Sequence, residues 1–147
     1  MITLRNFDKE DIHVLKEFMF QNAETENIIS AIDQWNGYSF EDKYFEMFAI
    51  CQDQQVIGTV SLFQHAEGVI SAGPEIFAPF RQKGFATKAL ELALDHARKQ
   101  GYKIAIAKVK KENTASAKLH EKLGYLRDDY ELKNKNGEEV NIYLKLL

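Results

Sequence analysis

The sequence predicts an α/β fold of the mixed kind: a central, largely antiparallel sheet of about six or seven strands, flanked by about four helices. Three observations predict it. Apolar runs rich in strand formers come in consecutive pairs joined by short polar turns, as hairpins do. Two further runs are joined by segments of helical period, which are crossovers. The hydrophobic period changes from two to 3.6 and back along one chain, with no linker or repeat between the parts, so the whole of 1–147 reads as a single domain.

Ile2 to Phe7 alternates apolar and polar residues and reads as a strand. Asp8 is a helix N-cap candidate, and Ile12, Leu15, Phe18 and Met19 then recur at helical spacing up to about Phe20. Gln21 to Phe40 reads as a loop-rich insertion that leaves room for a short helix, followed by a helix around Phe40–Tyr44. Phe45–Cys51 and Val56–Phe63 form a hairpin across Gln52-Asp53-Gln54-Gln55. Val69–Ala78 is a further strand, in which Pro74 predicts a bulge or a break in pairing. Ala86, Ala89, Leu90, Ala93, Leu94 and Ala97 make a helical stripe ending at Gly101, and its small residues suit close packing on a sheet. Ile104–Val109 is a strand, Asn113-Thr114 caps a short helix ended by Gly124, and Tyr125–Lys133 and Val140–Leu147 form a last hairpin around Asn134-Lys135-Asn136-Gly137.

Composition narrows the function. The chain carries 19 Lys and Arg against 22 Asp and Glu, a net charge of −3, which argues against nucleic acid as the partner. No apolar run is long enough to span a bilayer, and the N-terminus enters amphipathic structure directly, so no membrane partner and a cytoplasmic location are expected. The single cysteine, Cys51, rules out an internal disulfide and fits a buried apolar position. His13, His65 and His96 form no metal-ligand spacing, so no metal is expected.

The chemistry concentrates in Pro79–Lys88. One glycine and two cations, Arg81 and Lys83, lie between the end of a strand and the start of a helix. Unpaired N–H groups and the positive end of the helix dipole make such a place an anion site, and a glycine lets a phosphate approach the backbone. Neither Gly-x-Gly-x-x-Gly nor a Gly-Lys-Ser/Thr loop occurs, which counts against a dinucleotide or a P-loop nucleotide.

Arg81-x-x-Gly84-x-Ala86 resembles the acyl-CoA signature of the GNAT superfamily of N-acyltransferases. Downstream, Asn113-x-x-Ser116-x-x-x-His120-Glu121-Lys122-Leu123-Gly124-Tyr125 is similar to that family's later stretch, and the element order agrees. The resemblance implies a GNAT-like fold in which a splayed strand pair holds acetyl-CoA. It implies that the backbone of Gln82, Lys83, Gly84, Phe85, Ala86 and Thr87, with Arg81, grips the pyrophosphate. It also implies that Ile76, Phe77 and Ala78 pair with the pantetheine arm, and that Asn113 and Ser116 approach from the other side. Two departures stand out: Pro79-Phe80-Arg81 is one residue shorter than the family's spacing, and His120 occupies the position usually held by a tyrosine acid.

The implied activity is transfer of an acetyl group from acetyl-CoA to a primary amine by direct attack in a ternary complex. Glu75 is the candidate base and His120 the candidate acid. Ser116 and His120 lie one helical turn apart, but with no nucleophile elbow they make a poor hydrolase pair. The other reading is an acyl-CoA-binding sensor or structural module with little catalysis. Glu24, Glu26, Asp33, Glu41 and Asp42 suggest a cationic acceptor, walled by Trp35, Tyr38 and Tyr44. The sequence leaves the identity of the amine open, and the oligomeric state too, a homodimer included.

Overall fold

The structure is a computed structural model describing residues 1–147. Strand β1 (Ile2–Asn6) leads through a 3₁₀ turn to helices α1 (Ile12–Phe18) and α2 (Thr25–Trp35). Strands β2 (Ser39–Phe40), β3 (Lys43–Gln52), β4 (Gln55–Ala66) and β5 (Val69–Ile76) follow. Then come α3 (Phe85–Lys99), β6 (Ile104–Lys110), α4 (Thr114–Lys122), β7 (Leu126–Lys133) and β8 (Glu139–Leu146). The sheet runs β1-β3-β4-β5-β6-β8-β7, with β2 paired to β3. Every pairing is antiparallel except β5 with β6.

Alternation along the strands divides the core into two layers. On one face Phe48, Ile50, Val60, Leu62, Ile70 and Ala72 meet Ala89, Leu90, Ala93, Leu94 and Ala97 of α3, with Leu119 and Leu123 of α4 packed alongside. Ala89, Ala93 and Ala97 are fully buried, so a larger side chain there would overpack the contact at a cost of about 1–3 kcal/mol. On the opposite face Ala49, Cys51, Val56 and Phe77 meet Leu15 of α1 and Ile28 and Ile32 of α2. α1 and α2 cover only one end of that face.

Asp8 caps the 3₁₀ turn in a reciprocal capping box with Asp11. Asp11, buried, also holds Arg5 in a two-pronged pair at 2.8 and 2.9 Å. The stretch Gln21–Tyr44 differs from expectation. It contains a full helix, α2, because Ile28, Ile32 and Trp35 form an apolar stripe, while Phe40–Tyr44 is a tight β2–β3 turn in which Glu41 and Asp42 take positive φ. Pro74 does not interrupt the β4–β5 ladder, which runs through Val60–Pro74. Phe77 N–H donates to Ile57 O, so alternation turns the backbone groups of Ala72, Pro74 and Ile76 away from β4. A proline has no N–H to lose on that side.

Candidate active site

The β5–α3 turn is shaped by backbone conformation. After Ile76, a 3₁₀ turn from Ala78 to Phe80 with Pro79 in it reverses the chain. Arg81 Nε donates to Ile76 O at 2.8 Å and ties the turn to the strand. Gln82 (φ 65°) and Gly84 (φ 80°) then take left-handed conformations, and α3 begins at Phe85 without a side-chain cap. Six successive backbone N–H groups, Gln82 to Thr87, have no acceptor within the protein. They carry the positive end of the α3 dipole. The exposed cations Arg81, Lys83, Lys118 and Lys122 enter no ion pair. A hollow of about 360 Å³ between α3 and α4 is bounded by Thr87, Ser116, Lys118 and Lys122 among others. A larger one, about 750 Å³, lies further along the two helices by Glu91, Asp95 and Lys145 and shares Lys122.

A slot leads from this turn into the sheet. β5 and β6 pair only at Val69–Ile104 and Ile70–Ala105 and then part, while β6 stays paired with β8 along its whole length. The open edge of β5 is therefore Ala72–Ile76. Of the three residues assigned to the arm from sequence, only Ile76 lies on that edge. The N–H of Phe77 is taken by Ile57, its ring stacks on Phe18 at 4.7 Å, and Ala78 belongs to the turn.

Asn113 caps α4 by accepting from Ser116 N–H at 3.1 Å. His120 is 5% exposed and stands edge-on to Tyr125, ring centroids 4.8 Å apart, with Tyr143 at 6.0 Å. Its Nδ1 lies 2.8 Å from Ser116 O, an acceptor only, so Nδ1 donates there. The Tyr125 hydroxyl is buried without a partner, and burial pushes its pKa up.

The face of the sheet opposite α3 is open above the slot. Strand register lines up Phe45, Phe63 and Ser71 in one row and Ala49, Thr59 and Glu75 in another. Glu75 is exposed on this face. The rings of Phe40, Phe45 and Phe63 cluster with centroids 6.2–6.4 Å apart. His65 packs edge-on to Phe63 at 5.3 Å, and its Nε2 is 3.0 Å from Ser71 Oγ. Burial, together with Lys108 and Lys43, holds the His65 imidazole below its ordinary value. Sequence reading considered His65 only as a metal ligand. The signal for this pair was its position on either side of the Ala66-Glu67-Gly68 turn, where hairpin partners meet.

Two expected acceptor walls lie elsewhere. Trp35 packs on Phe7 and Phe20 at 5.4 and 6.2 Å, and Tyr44 faces α3, stacked on Tyr102 at 5.9 Å. The Tyr44 hydroxyl donates to buried Glu46, which also accepts from Asn6 at 2.9 Å. The Tyr38 hydroxyl donates to Asn6 Oδ1 at 3.0 Å.

Solved structures share this fold. RimL, a ribosomal L7/L12 α-N-protein acetyltransferase in complex with coenzyme A, superposes with a TM-score of 0.82 at 16% identity, over 99% of this chain and 94% of that one. The microcin C7 self-immunity acetyltransferase MccE, in complex with acetyl-CoA and AMP, gives 0.80 at 21%, over 99% and 92%. An N-acetyltransferase from Staphylococcus aureus Mu50 gives 0.76 at 18%, over 99% and 98%. At these identities the likeness shows the fold. No curated protein sequence matches the chain. The model of the acetyltransferase (GNAT) domain matches residues 2–126, a span that holds the turn at Gly84, the slot beside β5 and the whole of α4; the chain belongs to the GNAT acetyltransferase family.

Proposed function

We propose that this protein transfers an acetyl group from acetyl-CoA to a primary amine by direct attack within a ternary complex. The observation that carries the reading is the run of six unpaired N–H groups from Gln82 to Thr87, at a helix N-terminus that opens into a slot in the sheet. A diphosphate provides the anion that such a run needs. The pantetheine arm, with its two amides, fits the free edge from Ile76 to Ala72 as an added strand does. The ligands carried by RimL and MccE, coenzyme A and acetyl-CoA, support the same reading.

With the arm in the slot, the thioester comes to rest towards Ala72, whose N–H is directed to the slot and can stabilise the tetrahedral oxyanion. The amine approaches from the open face. Its nitrogen forms the new C–N bond, the C–S bond breaks, and the thiolate leaves. A thiol pKa of about 8.5 makes that departure feasible with or without a proton from the His120 side. A lysine-like ammonium, at about 10.4, must lose its proton first, and this proton leaves towards the open face, which carries Glu75 and, nearer the fork, His65.

The test is calorimetric titration with coenzyme A, followed by thiol release from acetyl-CoA across a panel of amines. Micromolar binding with amine-dependent release is expected. Tight binding with no release from any amine would identify an acyl-CoA-binding module instead, and absence of binding would overturn the site assignment.

A further inference from the structure

We propose that Ser71 and His65 form the proton relay for the acceptor amine, with His65 as the terminal base. The proposal rests on the acetyl-transfer reading and adds the residues that remove the proton. The slot is closed at one end by the last β5–β6 pair, Ile70–Ala105, and open at the other towards the Gln82–Thr87 turn. An arm entering from the turn runs towards the fork, and its reactive end stops there. Ser71 is the first residue of β5 past that pair and faces the open side, since its neighbours Ile70 and Ala72 belong to the α3 core. Its hydroxyl therefore stands above the place where the thioester arrives. His65 Nε2 is 3.0 Å from that hydroxyl. Glu75 is four residues further along β5, about 13 Å at the usual strand rise, towards the pyrophosphate end.

The step balances. As the amine nitrogen attacks, its N–H proton passes to Ser71 Oγ while the Ser71 proton passes to His65 Nε2, a step that uses the tautomer with its proton on Nδ1. The imidazolium then releases its proton to solvent, to which His65 is exposed. Lys43, whose Nζ donates to His65 O at 3.0 Å, and Lys108 on β6 are the charged groups that act on the ring. Both keep it neutral, and so able to accept, at neutral pH. The aromatic cluster of Phe40, Phe45 and Phe63 beside it offers an apolar seat, which suits an amine carrying an apolar group.

Two measurements test the relay. In the first, phenylalanine amide is the probe amine. His65→Gln should lower kcat by about a hundredfold, the low end of the usual range for general base catalysis, and Ser71→Ala by about tenfold. Ser71→Thr should restore the rate, and affinity for coenzyme A should stay unchanged in all three. The acid limb of the wild-type profile should fall below 6.5, the ordinary histidine value, and vanish in His65→Gln. Retention of that limb or of the rate would overturn the proposal. The second needs no acceptor: the His65 ring resonances are followed by NMR in the free protein, with acetyl-CoA and with coenzyme A. A shift larger with acetyl-CoA is expected. If both ligands bind and neither moves the His65 signals, the relay is refuted while the acetyl-CoA reading stands; if neither binds, both fall.

Discussion

Replacing Gly84 with Glu tests the anion site by charge alone. A Cβ built at Gly84 meets nothing within 4 Å, so no atom of the fold is displaced. The cost in the folded state is that of holding a non-glycine residue at φ 80°, about 1–2 kcal/mol. A carboxylate at the start of α3 offsets about 0.3–1 kcal/mol of this through the helix dipole. The melting temperature should therefore fall by about 7 °C or less. Binding should respond far more. A carboxylate about 5 Å from a phosphate charge, at an effective dielectric constant of about 20, costs about 3 kcal/mol. That is roughly 200-fold in Kd. The side chain would also occupy the same N–H groups that the proposed diphosphate site uses. Gly84→Ala, which adds the strain without the charge, should bind coenzyme A within about tenfold of wild type, since the strain acts mainly on folding. The assay is calorimetric titration with coenzyme A beside a thermal melt, repeated at high salt, where part of the loss should be recovered by screening. A folded Gly84→Glu protein with wild-type affinity would refute the placement of the pyrophosphate.

Other outcomes follow from the same geometry. A Cβ at Gly58 would lie 2.2 Å from the carbonyl oxygen of Glu75, a backbone atom that cannot step aside, so Gly58→Ala should destabilise by about 3 kcal/mol, read by urea unfolding. Asp11→Asn should cost about 2 kcal/mol by weakening the Arg5 pair and the capping box. Burial raises the Asp11 carboxyl, but the Arg5 hydrogen bonds, the Asp8 N–H and the Arg5 charge outweigh it and hold the pKa below the ordinary value. Its stabilisation is thus present above about pH 4 and drains away as pH falls through the folded value, so the variant should show a flatter loss of stability in acid. Cys51→Ala should leave kcat unchanged: Cys51 is 2% exposed in the α1–α2 core, and burial pushes its thiol up. Loss of activity in a folded Cys51→Ala protein would instead indicate an acyl-cysteine intermediate.

Local chemistry made much of the architecture readable. The alanine stripe from Ala86 to Ala97 and the stop at Gly101 define α3 because helical period and a left-handed terminus are properties of neighbouring residues. The Asn134–Gly137 turn is equally local: Asn134 Oδ1 accepts from Asn136 N–H at 2.9 Å and Glu138 N–H at 3.0 Å. The insertion was harder. Trp35 reads as a wall when its partners are unknown and becomes core once Phe7 and Phe20 close on it, which depends on contacts across the chain.

The turn at Gly84 is legible in local residues alone, since Gly84 and the residues just after it need only their own backbone to present unpaired N–H groups. So are α4 and its Asn113 cap, which rest on near neighbours. The place of the slot comes from long-range pairing instead. The parting of β5 from β6 after Ile70 depends on β6 keeping its full ladder with β8, a pairing between segments more than thirty residues apart. That parting moves the open edge to Ala72–Ile76 and places the fork beneath Ser71 and His65. Strand pairing is set by how distant segments share a sheet, and so the position of the fork was fixed by register rather than by any run of residues.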